Sequence, residues 1–298
     1  MRLWKLCKFF ISAGIVISSL LSAFAQGRSP STSNPFVDYF YGANAKDIGT
    51  DKGYPAYEAL MRATQTMAPT EIAAGLAVID SKIDANMSDP QDYSAKGEAV
   101  SLLGYIGSRP DGPELLATQM DRLAFLLNEP THRFTPASFA ALQMIGYRRP
   151  QLVVPILKDA LKNPEANNKT GPGSGVSALL LRLAPNDQDV AERVVQYMQR
   201  KDMTDDHLLD TIVGIDNSPI PDAIAAELVR CLDRPNDIIK GRALVGLSKS
   251  SPAAKEAARR RIQDMANDPR ETTHIRSLAA EVPEGKIVGN PDVDQQKN

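Results

Sequence analysis

Between Tyr54 and Pro283 apolar residues recur every three or four positions, and nowhere does an alternating run of Val, Ile or aromatic residues stand between hairpin turns. The spacing predicts helices over residues 55–67, 70–85, 93–107, 112–128, 134–147, 150–162, 174–184, 188–200, 205–216, 220–233, 237–249, 252–267 and 271–281, and no strand. The clusters SDPQD, NEPT, KNPE, DRPND and NDPR separate the apolar runs. Proline lacks the N–H that a helix interior needs, and the adjacent Asp or Asn supplies a capping oxygen. Each cluster therefore stops one helix and starts the next. The pattern is that of an all-α protein.

Helices of this length cannot bury an apolar stripe alone, which makes internal repetition informative. KGEAVSLLG, from Lys96, matches KGRALVGLS, from Lys240, with Lys, Gly, Ala and Leu at the same offsets across 144 residues, or four units of 36. Looser copies end at Gly146 (LQMIG), Ala184 (LLLRLA) and Pro219 (IVGIDNSP), each followed by an amphipathic helix. With Asp233, Pro235, Ile239, Lys240, Ala243 and Leu247, and with Asp89, Pro90, Ala95, Lys96, Ala99, Leu103, Gly104, Ile106 and Gly107, the pattern resembles the HEAT repeat family. The resemblance covers roughly residues 54–283. It implies a right-handed α-α superhelix (solenoid) of about six helix-hairpin repeats that binds protein, usually without catalysis. It also implies a ladder between repeats, in which the acid at the turn meets the base on the inner helix, here Asp233 with Lys240 and Asp89 with Lys96.

The ends of the chain read differently. Residues 1–25 carry Arg2, Lys5 and Lys8, an apolar stretch, then Ala23 and Ala25, the layout of a secretory signal cut before Gln26. Residues 26–53 are rich in Gly, Ser, Pro and Asn and are expected to form a flexible linker. Phe36, Tyr39, Phe40 and Tyr41, with Tyr54 and Tyr57, concentrate aromatic surface there. These rings are expected to cover the open apolar end of the first helices, the competing reading being a partner-docking motif. Residues 284–298 are polar, without periodicity, and are expected to be a disordered tail.

Composition narrows the function. Aromatics make up 6% of the 298 residues, which disfavours an aromatic-lined cofactor cleft. Loss of the three signal-peptide bases leaves 31 Lys and Arg against 36 Asp and Glu, a balance that repels phosphate backbones and argues against nucleic acid as a partner. Cys231 alone of the two cysteines survives cleavage, so no internal disulfide is available, which suits a core-stabilised periplasmic or secreted protein. Arg259, Arg260 and Arg261 read as a solvated helix face.

Candidate chemistry is sparse. The loop NNKTGPGSG at 167–175 lacks the Lys a phosphate loop needs after its last Gly, where Val176 stands instead. His132, His207 and His274 are too dispersed for a metal set, and Asp205 to Asp210 (DDHLLD) reads as acids opening a helix, where the dipole favours them. No cofactor is expected. The polar residues on the inner helices that the core does not require are Gln143, Arg182, Asp210 and Lys249, and these are the candidate ligand-binding residues for a protein or cell-envelope partner. The alternative function is a lyase or hydrolase on a helical toroid, with acids converging in a cleft. That reading requires a deep cavity, where a scaffold requires an open face.

Overall fold

The computed structural model describes residues 34–43, 45–86, 90–131, 133–163, 173–215 and 220–283. Residues 1–25, expected to be a secretory signal, and residues 284–298, expected to be a tail, lie outside the described residues. Those described are all-helical, with no strand among them. The α-helices are α1 (Pro35–Tyr41), α2 (Tyr54–Thr64), α3 (Pro69–Asp84), α4 (Pro90–Gly107), α5 (Gly112–Leu115), α6 (Met120–Leu127), α7 (Thr135–Gly146), α8 (Pro150–Ala160), α9 (Gly173–Leu183), α10 (Gln188–Met198), α11 (Asp205–Ile215), α12 (Asp222–Cys231), α13 (Asp237–Lys249), α14 (Pro252–Asn267) and α15 (Thr273–Glu281).

The punctuation acts as its chemistry dictates. Proline occupies the first turn of α1, α3, α7, α8 and α14, where a missing N–H costs nothing. Side chains of Asn34, Asp187, Asn236, Ser251 and Thr272 accept from the first free N–H groups of the helices that follow them. Two elements differ from the expectation. The helix expected at 112–128 is broken into α5 and α6, because the turn between them buries Leu116 completely and turns Gln119 inward to donate to Asp80, 3.2 Å away. Within the linker expected at 26–53, the described residues form α1 and a short 3-10 turn, Ala45–Asp47. Phe36, Tyr39 and Phe40 share one face of α1, and burying that face outweighs the loop-forming composition around it.

Contacts sort the helices into two rows. In one row α4 packs on α7, α7 on α9, α9 on α11, α11 on α13 and α13 on α15. In the other α6 packs on α8, α10 on α12 and α12 on α14, while α3·α4, α6·α7, α8·α9, α12·α13 and α14·α15 join the rows. The first of these rows is tight. A Cβ on Gly104 would lie 2.7 Å from the Ala141 Cα, and one on Gly214 would lie 2.8 Å from the Ala178 Cβ, so these glycines let neighbouring helices approach almost backbone to backbone.

Polar bonds step along the rows by roughly one unit. Arg122 reaches Asp80 and Asp84, Lys158 reaches Asp187 and Asp189, Gln199 reaches Glu227, and Arg261 reaches Asp233. The ladder differs in detail from the expected one. Asp233 pairs with Arg261, at 2.9 Å, while Lys240 turns to Asp237 at 3.4 Å and to Glu271 at 2.6 Å. A lysine stem is long enough to reach either adjacent turn, and Glu271 is the less exposed of its two partners, so the attraction there is screened least. Lys96 lies 5.0 Å over the Phe134 ring, and Asp89 is outside the described residues.

Candidate functional site

Gln143 and Arg182 come together although they stand on different helices. The Gln143 amide donates to the Tyr147 hydroxyl, 3.1 Å away at the end of the same helix, α7. Arg182, exposed near the end of α9, stands close enough to the same tyrosine to act on its phenol and donates to the Gly214 carbonyl of α11 at 3.4 Å. The Gln143 bond and, after it, the nearby Arg182 guanidinium lower the Tyr147 phenol below its usual value. A polar line thus crosses the last turns of three consecutive helices of the α4-to-α15 row. Tyr147 within it is 57% exposed and has no part in the core. Composition-based reasoning missed Tyr147. Its signal was the i,i+4 spacing from Gln143.

The two other candidates stand apart. Asp210 is exposed one turn before Gly214, and its charge reaches toward α10. Burial pushes the Tyr197 phenol up to about 12, and Asp210 is among the acids that add to the rise. Lys249 is exposed at the last position of α13.

The N-terminal aromatic residues pack mainly against the chain itself. Phe36 covers Gly75 of α3, and Tyr39 lies against Phe40 and Tyr57, with ring centroids 5.0 and 5.8 Å away. The Tyr39 hydroxyl donates to Glu98 Oε2 at 2.5 Å, and the Gly49 N–H donates to Oε1 at 3.2 Å, so both oxygens of this half-buried carboxylate are taken. Burial raises the Glu98 carboxyl above its usual range against the pull of those two bonds. This carboxylate holds the N-terminal cap onto α4. Tyr41 and Tyr54 remain exposed, Tyr41 with the Lys82 ammonium 4.0 Å over its ring.

Elsewhere the reactive side chains serve the fold. Cys231 is 3% exposed, and burial followed by the Glu227 charge raises its thiol to about 12. It should therefore react with iodoacetamide only after unfolding, and alkylation of Cys231 itself within minutes in the native protein at pH 8, read by peptide mass mapping, would contradict the packing of α12. Asp205 accepts from Asn236 at 3.3 Å and faces Arg234 at 3.8 Å. Of the Arg259–Arg261 run, Arg259 pairs with Glu256 and Arg261 with Asp233. Among the described residues no group of three or more His, Cys, Asp and Glu is placed to hold a metal ion, and no helix is long and apolar enough to cross a membrane. His132 and most of the 167–175 loop lie outside the described residues. Compared with known proteins, the sequence matches no family model and no curated protein.

Proposed function

We propose that the chain is a non-catalytic scaffold of the HEAT-like kind. It is a right-handed superhelix of about six helix hairpins, secreted or periplasmic once residues 1–25 are removed, that grips a protein or envelope partner with its concave face. The α4-to-α15 row lines that face. Support for stacked repeats comes from the contacts of each helix in this row with its successor and from side-chain bonds spanning 28 to 42 residues, close to one 36-residue unit. The observation that carries the binding assignment is the line of Gln143, Tyr147 and Arg182 across α7, α9 and α11. An exposed tyrosine flanked by an arginine and an amide is the chemistry enriched where proteins bind one another.

The test is quantitative affinity capture from envelope extracts of the source organism with the parent chain and with a Gln143→Ala, Tyr147→Ala, Arg182→Ala triple variant. A partner recovered in stoichiometric amount by the parent should be lost with the variant. The melting temperature should move by only about 1–2 °C, since the replaced side chains lie outside the core. Equal recovery by both chains would remove this face from the binding assignment, and a large drop in melting temperature would show that the three residues serve the stack.

A further inference from the structure

We propose that the cleft between α8 and α10, on the opposite row from the polar line, is a binding site for a phosphate-class oxyanion. The cleft has a volume of about 270 Å³, room for several water molecules, and is lined by Leu161 together with Lys158, Lys162, Arg193, Gln196, Tyr197 and Arg200. Four of these are cations, and among the described residues no carboxylate lines it.

The acids that neutralise these cations act from outside the lining. Lys158 is held by Asp187 and Asp189, Lys162 by Asp159, Arg193 by Asp189 and Arg200 by Asp202. Asp159, Asp187, Asp189 and Asp202 are 71%, 36%, 52% and 58% exposed, so water screens much of their charge, whereas Lys158 and Arg200 are only 18% and 19% exposed. An anion entering the cleft therefore meets the cations at shorter range than it meets their acids, although the cluster as a set is neutral.

Donors remain after the ion pairs are formed. Arg193 gives its Nε to Asp189, 3.1 Å away, which leaves the paired Nη groups that match two oxygens of a phosphate. Lys162 Nζ spends one proton on Asp159, at 2.7 Å, and carries two more. The Gln196 amide adds a neutral donor. Arg200 has a different part: its Nε and Nη2 hold Asp202 and its Nη1 holds the Asn163 carbonyl, which fixes the wall of the cleft between α8 and α10. A fork, an ammonium and an amide around one small cleft suit an oxyanion with three or more acceptor oxygens better than a lone carboxylate.

The experiment is a calorimetric titration of the full chain with inorganic pyrophosphate at low salt. Saturation at one ion per chain is expected, with Arg193→Gln weakening binding about tenfold and Lys162→Gln a few-fold. Arg62→Gln, exposed on α2 and outside the cleft lining, should bind as the parent does. Added salt should weaken binding, as it does for contacts made by charge. No saturable heat, or pyrophosphate affinity unchanged in both cleft variants, would overturn the assignment. Lys162 is 58% exposed, so its variant keeps the test open if Arg193→Gln fails to fold. Co-sedimentation with phosphatidylglycerol vesicles then locates the source of the phosphate. Pelleting that pyrophosphate competes away supports a lipid headgroup in the cleft, and pyrophosphate binding without pelleting supports a soluble phosphate.

Discussion

Replacing Gly104 by alanine should destabilise the protein by about 1–2 kcal/mol, and the same exchange at Gly97, two turns earlier on α4, should stabilise it by about 0.5–1 kcal/mol. Both glycines lie inside a helix, where alanine is the better helix former by about 1 kcal/mol. At Gly97 nothing lies within 4 Å of the new Cβ, so that gain is realised in full. At Gly104 the new methyl would meet the Ala141 Cα at 2.7 Å, the Met144 Sδ at 3.1 Å and the Ala141 Cβ at 3.2 Å. The Met144 thioether can swing aside, but the Ala141 backbone moves only if α7 moves. Overpacking of that kind costs about 1–3 kcal/mol, enough to reverse the propensity gain. Denaturant melts of the two variants decide the matter, and a Gly104→Ala protein as stable as the Gly97→Ala protein would show that α4 and α7 are further apart than described.

That contact was half legible in the sequence. The recurring pattern over residues 89–107 included Gly104, although KGRALVGLS carries Ser248 at that offset, and apolar spacing placed nearly every helix, because a helix buries one stripe whatever it packs against. Spacing does not say which stripe meets which neighbour. That is why Lys240 turned up bonded to Glu271, 31 residues ahead, and not to Asp233, seven residues behind. The same limit governs the candidate site. Gln143, Arg182, Asp210 and Lys249 share one sequence signal, a polar residue the core does not require, yet the structure sets only Gln143 and Arg182 around Tyr147, while Asp210 and Lys249 stand elsewhere. Helix α1 was missed for a different reason. Its Gly- and Ser-rich surroundings outweighed a start signal that was present, Asn34 and Pro35 ahead of apolar residues at Phe36, Tyr39 and Phe40.

Glu271→Ala should cost about 2–3 kcal/mol, or roughly 5–10 °C of melting temperature. The Lys240 and Glu271 side chains are 11% and 12% exposed, and their 2.6 Å bond ties α13 to the residues leading into α15. Removing the acid leaves a desolvated ammonium, a loss of about 3–5 kcal/mol when nothing else compensates. Here Asp237 remains 3.4 Å from Nζ, which reduces the loss. Glu271→Gln keeps an acceptor and should cost less, and a Lys240→Met, Glu271→Leu pair should recover most of the stability, since it leaves no buried charge behind. The dependence on pH separates this account from simple loss of packing. Burial pulls the Lys240 ammonium down, but Glu271 and Asp237 together hold it above the usual 10.5. The stabilisation is therefore complete below pH 10.5 and is lost as pH rises through the raised value. Without Glu271 burial is less opposed. If the folded-state value then falls below 10.5, the variant gains stability as the lysine deprotonates over that window. The gap between parent and variant should accordingly narrow as pH rises toward and through 10.5, and a gap that stays constant there would show that Glu271 contributes by packing and not by its charge.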